Sequence, residues 1–208
     1  LVRTVAQGSP VQATWNYTYN ARGQIATATD AGGHTTTYHY DDPRGFSTSI
    51  DDPPDVPGPA GGTRSFSYDA QGRLASTTDA MGRVTGFGYD ARNRIQQITY
   101  SDSSTEVFTY GSAANANLLI TFKDRTDKVT AYQYDNAGRR TRSALQVTVG
   151  GVTVEDDVHT WAYLDGTDLP SATTDNGELT TYLYDYRKRL LSSTRRPNAN
   201  ANAALTTT

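Results

Sequence analysis

Three histidines, a recurring aspartate and a scatter of serines are the residues with which this sequence of 208 residues could do chemistry. His34, His39 and His159 are the only imidazoles, and none stands with a second histidine or a carboxylate at a spacing that places both on one metal ion. His39 points away from Tyr38 and Tyr40 by strand parity. All three are therefore expected on strand faces or in turns, as neither metal ligands nor bases. The aspartates come singly, without the second and third oxygen donors at alternate positions that a calcium loop supplies, so they read as turn caps. Glu155-Asp156-Asp157 is the one acidic cluster and reads as a solvated loop. The serines sit in Thr/Ser-rich strands with no nucleophile elbow, and no glycine-rich phosphate loop opens a helix. No catalytic, cofactor-binding or metal-binding residue is assigned, and the chain is not expected to be an enzyme.

Composition narrows the classes further. The absence of cysteine removes disulfides, thiolate metal sites and thiol nucleophiles together. A net charge of −3 with both signs interspersed offers no basic face for a phosphate backbone, so nucleic acid is not an expected partner. No apolar run reaches the roughly 20 residues of a membrane-spanning helix. Leu1 to Pro10 lacks the apolar stretch and small-residue exit of a signal peptide. The chain starts without methionine and breaks in at a strand, so it reads as a piece of a longer polypeptide.

The elements that must position these residues are set by repetition. An aromatic-x-Tyr pair recurs as Tyr17/Tyr19, Tyr38/Tyr40, Phe66/Tyr68, Phe87/Tyr89, Phe108/Tyr110, Tyr132/Tyr134, Trp161/Tyr163 and Tyr182/Tyr184. The second aromatics are 21, 28, 21, 21, 24, 29 and 21 residues apart, so the base period is 21. Side chains alternate along a strand, which puts both aromatics of a pair on one face. Rows of such pairs are expected to stack into an aromatic ladder. The ladder reads as holding the sheet together, with stacking on sugar rings as the alternative.

Turns follow one grammar. Asn20 to Gly23, Asp30 to Gly33, Asp42 to Gly45, Asp69 to Gly72, Asp79 to Gly82 and Asp135 to Gly138 place Asp or Asn first and Gly fourth. This fits a hairpin loop built on a type I turn, capped by the first side chain and closed by a residue at positive φ. Asn93 and Asp127 stand where the fourth glycine is missing, and both residue types tolerate that conformation. The six or seven residues between turns are a strand's length, and no apolar recurrence at three and four residues supports a helix. The predicted fold is all-β: antiparallel β-hairpin repeats forming a curved sheet, spiral or partial shell. About eight units are expected over residues 1–196, with a frayed low-complexity tail at 197–208. Departures from the ruler fall at the Pro/Gly segment Asp51 to Gly62, at the polar bulge Ala113 to Asn117, and at Val147 to Val154, where Gly150-Gly151 predicts a lengthened hairpin. Asn16-Tyr17-Thr18 matches an N-glycosylation acceptor inside a strand.

Tyr68-Asp-Ala-Gln-Gly-Arg-Leu74 and its variants beginning at Tyr89, Tyr134 and Tyr184 resemble the Rhs/YD-repeat family, named for the Tyr-Asp pair. The resemblance covers nearly the whole chain. It implies repeat positions at Tyr19, Tyr40, Tyr68, Asp69, Gly72, Arg73, Tyr89, Asp90, Tyr110, Tyr134, Asp135, Gly138, Tyr163, Tyr184 and Asp185. Tyr110-Gly111 and Tyr163-Leu164 lose the aspartate, and Tyr40 is followed by an extra one; these units are expected to be bulged or irregular. In this family, hairpins coil into a hollow shell, around a toxin domain in Rhs effectors and the Tc toxin cocoon, and as a related barrel in teneurins. The resemblance implies a non-catalytic shell segment, secreted or at the cell surface. Its partners would be further repeats of the same polypeptide and an enclosed cargo. An adhesion module binding glycan or protein, and a fibre self-assembled through sheet edges, are the alternatives. Family self-cleavage depends on an Asp-Pro-x-Gly-Leu signature closing the shell. Asp42-Pro-Arg-Gly-Phe46 is similar to it but occupies an ordinary turn slot, so no protease residue is assigned.

Overall fold

The computed structural model describes residues 2–5, 13–54, 61–112 and 116–197. The described residues form strands and turns only, in two compact units, Leu1–Ser103 and Ser104–Thr208. The frayed tail foreseen for 197–208 falls almost wholly outside the described residues, as do parts of the segments 51–62 and 113–117.

In the first unit the strands are β1 (Val2–Val5), β2 (Ala13–Tyr19), β3 (Ile25–Thr29), β4 (Thr35–His39), β5 (Ser49–Asp51), β6 (Thr63–Tyr68), β7 (Leu74–Thr78), β8 (Val84–Tyr89) and β9 (Ile95–Thr99). Each pairs antiparallel with the next. The second unit is likewise a meander, of β10 (Thr105–Tyr110), β11 (Leu119–Lys123), β12 (Val129–Tyr134), β13 (Arg140–Val149), β14 (Val152–Tyr163), β15 (Pro170–Asp175), β16 (Glu178–Tyr184) and β17 (Leu190–Arg196). The fold is all-β with antiparallel hairpin repeats. The Gly150-Gly151 hairpin lengthens β13 and β14 to 10 and 12 residues, and both glycines have positive φ.

A register shift marks the end of seven strands, falling immediately before Tyr19, Tyr68, Tyr89, Tyr110, Tyr134, Tyr163 and Tyr184. Bulging is therefore the rule of the repeat, and regular units share it with the departures at Tyr110 and Tyr163. The turn alone does not produce it: the fourth residue takes positive φ at Gly72 (+83°) and Asn93 (64°), which follow shifted strands, and equally at Gly33, Gly82 and Asp127, whose hairpins keep a continuous register. Ser103 and Lys188 adopt the same conformation without the chemistry that announces it.

Very little is sealed from water. Among the described residues only Pro53, Ser143 and Ala144 are buried, and no large side chain is fully so. The sheets are held by neighbour-to-neighbour contacts in place of a shared core. Hydroxyl pairs span adjacent strands at Thr18/Thr27 (2.6 Å), Thr29/Thr35 (2.8 Å) and Ser67/Ser76 (2.7 Å), and Phe108 meets Phe122 at 5.1 Å between ring centres.

Candidate functional site

The residues that the repeat keeps returning to meet at the turns. Asp69 begins one of them. Its Oδ1 accepts the backbone N–H groups of Gln71 and Arg73 at 3.0 and 2.9 Å, and its Oδ2 accepts Arg73 Nε at 2.7 Å. Asp90 with Arg94, Asp135 with Arg139, Asp185 with Arg189, and Asp79 with Arg83 repeat this clamp. One carboxylate thus satisfies the turn and fixes the arginine that follows it by four residues. The Arg94 and Arg139 side chains hold the Asp90 and Asp135 carboxyls below the usual carboxylate range, with the backbone N–H groups acting in the same direction. Asn20 with Gln24 and Asp30 with His34 are neutral and imidazole versions of the pair.

The fourth residue after the turn-opening position is aimed at the next repeat. The Arg73 guanidinium lies over Tyr89, 4.5 Å from the ring centre, and Arg139 lies over Tyr163 at 4.6 Å. In the turn opened by Asp42 the same place is held by Phe46, whose ring meets Tyr68 at 4.8 Å. The tyrosine hydroxyl then donates to the carbonyl of the residue just beyond. Tyr40 donates to Ile25, Tyr68 to Ser47, Tyr89 to Leu74, Tyr134 to Leu119 and Tyr163 to Arg140, at 2.6 to 3.0 Å. Further ties run from turn to turn: Arg22 to the Pro43 carbonyl, Gln24 to Gly45, Arg44 to Asp69, Arg73 to the Asn93 side chain, and Arg139 to the Thr167 carbonyl. The turns tied in this way follow even-numbered strands, so within each unit they lie along one edge, while the Asp30 and Asp79 turns follow β3 and β7. The repeat is an interlock in which turns of that edge grip a tyrosine of a later repeat.

This arrangement revises two expectations. The aromatic pairs recur on alternate strands, two strand spacings or roughly 10 Å apart, beyond the reach of ring-on-ring contact. Arg140, on the strand between, lies 5.9 Å from the Tyr132 ring and 4.4 Å from Trp161, so cation and ring alternate there in place of a purely aromatic ladder. The histidines, read as strand-face or turn residues with no carboxylate at metal-binding spacing, each meet a carboxylate. His34 Nδ1 meets Asp30 at 2.9 Å, His39 Nε2 meets Asp51 at 2.7 Å, and His159 faces Asp157 and Asp175 at 3.2 and 3.3 Å. Asp30 to His34 repeats the four-residue spacing of the clamp. The other pairs arise from strand register: His159 stands directly opposite Asp175 on β15. In the last cluster the two ring nitrogens address different carboxylates, and Asp157 also accepts the Asn176 amide at 2.9 Å. Ligand atoms of Asp157, His159 and Asp175 lie within 4.8 Å of one another, so the structure brings a half-buried histidine and two exposed carboxylates to a spacing that one metal ion could bridge, which the sequence did not suggest.

The remaining repeat residues occupy equivalent places. Gly72 and Gly138 supply positive φ, Tyr110 and Tyr184 sit at the strand-end bulges, and Tyr19 ends β2 at 44% exposure. Asp42 to Gly45 is a turn of the common type, closed by Gly45 N–H donating to the Asp42 carbonyl at 2.8 Å. The arginines of the clamp, apart from Arg73, were passed over by sequence reasoning. The signal was present as an arginine directly after the fourth turn residue, in Gly82-Arg83, Asn93-Arg94, Gly138-Arg139 and Lys188-Arg189.

Residues 13–53, 58–80 and 68–105 match the RHS Repeat family. Residues 13–53 and 58–105 carry Rhs repeats. Their fold is similar to that in the crystal structure of TcdB2-TccC3-TEV, at 16% identity and a TM-score of 0.65, over 95% of this chain and 11% of that one. The crystal structure of TcdB2-TccC3-Cdc42 gives 16% identity and a TM-score of 0.63, over 94% of this chain and 11% of that one. This Rhs-repeat chain therefore spans about a tenth of the length of the structures it resembles, and the likeness is one of fold. No curated protein matches the sequence.

Proposed function

We propose that this chain is a wall segment of an Rhs-repeat shell and works by confinement, keeping an enclosed cargo apart from solvent and from partners. The observation that carries the reading is the interlock. Each repeat is tied to its successor through Arg-Tyr contacts and hydroxyl-to-carbonyl bonds, while almost no side chain is buried within the described residues. Such a chain gains stability by adding repeats, as linear repeat arrays do, and leaves broad half-covered faces for something else to occupy. The Rhs-repeat match and the shared fold with TcdB2-TccC3 structures support the same reading. The partners would be further repeats of the polypeptide and the cargo itself, in a secreted or surface-exposed assembly. The wall would have no reacting residue: the repeat aspartates Asp69, Asp79, Asp90, Asp135 and Asp185 are engaged as turn caps and in ion pairs.

Electron microscopy of the full-length polypeptide that contains these repeats, with protease challenge of its cargo, tests the proposal. A closed particle in which the cargo survives protease is expected. Filaments would instead favour a fibre, and open monomers that bind glycans would favour adhesion; either result overturns the shell.

A further inference from the structure

The cluster of Asp157, His159 and Asp175 does not balance its charges as the turns do. Each clamp carboxylate holds an arginine, and Glu155, close by in sequence, is taken by Arg142. Among the described residues neither Asp157 nor Asp175 has an arginine or lysine partner; both face one imidazole, Asp157 at Nε2 and Asp175 at Nδ1. A neutral imidazole carries one N–H and one lone pair, and a carboxylate only accepts, so one of these two contacts sets lone pair against lone pair. A cation is what that contact lacks. His39, by comparison, meets a single carboxylate and closes on it to 2.7 Å, against 3.2 and 3.3 Å here. The backbone holds the three residues in place. His159 stands opposite Asp175 in the β14–β15 register, and Asp157 with Val158 faces Ala144 alone across β13–β14, a bulge that keeps Asp157 at φ 47°. The Asn176 side chain donates to Asp157 and holds its carboxyl below the usual carboxylate range, and the Asn176 backbone N–H donates to the Val158 carbonyl at 2.9 Å.

We infer that Asp157, His159 and Asp175 bind one divalent ion of the zinc class, through one ring nitrogen and one oxygen of each carboxylate. In a tetrahedral set with bonds of about 2.0–2.1 Å, ligand atoms stand about 3.3 Å apart. The three ligand atoms already lie within 4.8 Å of one another, and both carboxylates are exposed, so side-chain rotation alone closes the set. The second ring nitrogen then donates its N–H to the carboxylate on its own side, the outer bond that orients a ligating imidazole. The imidazole selects zinc over calcium or magnesium, which prefer oxygen throughout, and water completes the coordination. The ion pins the β14 bulge to the turn between β15 and β16. That turn follows an odd-numbered strand, so the metal fastens the edge of the second unit that the Arg-Tyr contacts do not reach. The site goes beyond the wall reading and does not depend on it.

Titration calorimetry of the full, chelator-treated chain with Zn²⁺ alone tests the site. One ion per chain is expected, with a dissociation constant of about 1–10 μM. His159→Ala and Asp175→Asn should each weaken binding at least about tenfold, whereas His39→Ala should leave it unchanged. Zn²⁺ should raise the melting temperature of the parent and not that of His159→Ala. Asp175→Asn keeps the shape of an exposed side chain, so its metal-free melt should match the parent's, which separates ligand loss from misfolding. Co²⁺ gives the position: in a Trp15→Phe chain it should quench Trp161, whose ring lies 6.2 Å from that of His159. Zn²⁺ binding that survives both ligand substitutions, Ca²⁺ binding as tightly as Zn²⁺, or no saturable binding up to about 1 mM Zn²⁺ overturns the site. In that last case the cation between ring and carboxylates is a proton on the imidazole.

Discussion

The guanidinium of Arg73 lies 4.5 Å from the ring centre of Tyr89, so a turn in one repeat grips a side chain that belongs to the next. If this contact couples the units, the energies of Arg73→Ala and Tyr89→Ala will not add. A double-mutant cycle by urea unfolding should give a coupling of about 0.5–1 kcal/mol. Tyr89→Phe keeps the ring and loses only the bond to Leu74, at a cost of about 1 kcal/mol. Strict additivity would mean that the stacking contributes nothing.

Acid should loosen the turns. The folded pKa values of Asp90 and Asp135 lie below the usual 3.8, chiefly through the side chains of Arg94 and Arg139. For Asp185 the Arg189 backbone N–H is the leading cause. A lowered folded pKa means that the unfolded chain binds protons first, so the contribution is complete above 3.8 and disappears as pH falls through the folded values. Melting temperature should be flat with respect to these groups from neutral pH down to about 5 and fall steeply below about 4. A melting temperature that stayed level down to about pH 3 would mean that the clamps contribute nothing.

Glycine substitutions separate backbone strain from crowding. Gly23→Ala meets open space at φ +76°, whereas a Cβ on Gly72, at φ +83°, would lie 3.1 Å from Phe46 Cε2. Both should lose about 1–2 kcal/mol from the left-handed conformation, and Gly72→Ala should lose more. Lys188 already holds φ 63°, so Lys188→Gly should gain a few tenths to about 1 kcal/mol. Thermal melts of the three variants check the order.

The β13–β14 ribbon predicts a substitution without a stability cost. Val149, Val152 and Val154 are 61%, 63% and 44% exposed. Val149→Thr with Val152→Thr should shift unfolding by less than about 0.5 kcal/mol while reducing the binding of a hydrophobic dye. A large loss would mean that the ribbon packs against something in solution.

Much of the fold could be read from local chemistry. The turns of Asp69 and Asp135 announce themselves by residue type, and the tolerance of Asn93 and Asp127 for positive φ is a property of those side chains. Lys188 and Ser103 could not be read this way, because the surrounding hairpin imposes the conformation on unsuited residues. The interlock lay further out of sight. Tyr163 reaches Arg140 across 23 residues, and only strand register brings the two together. The pairing of His159 with Asp175 has the same origin, while that of His34 with Asp30 was hidden in plain view as an imidazole in the arginine's place.

The interlocks also set a schedule. Each joins a turn to something 15 to 28 residues further along the chain, and nothing in them waits for a distant terminus. On a ribosome adding 5–20 residues each second, the matching tyrosine or turn follows its arginine by roughly one to six seconds. A nascent array of this kind can be fastened stitch by stitch as it emerges, with the most recent turn as its loose thread.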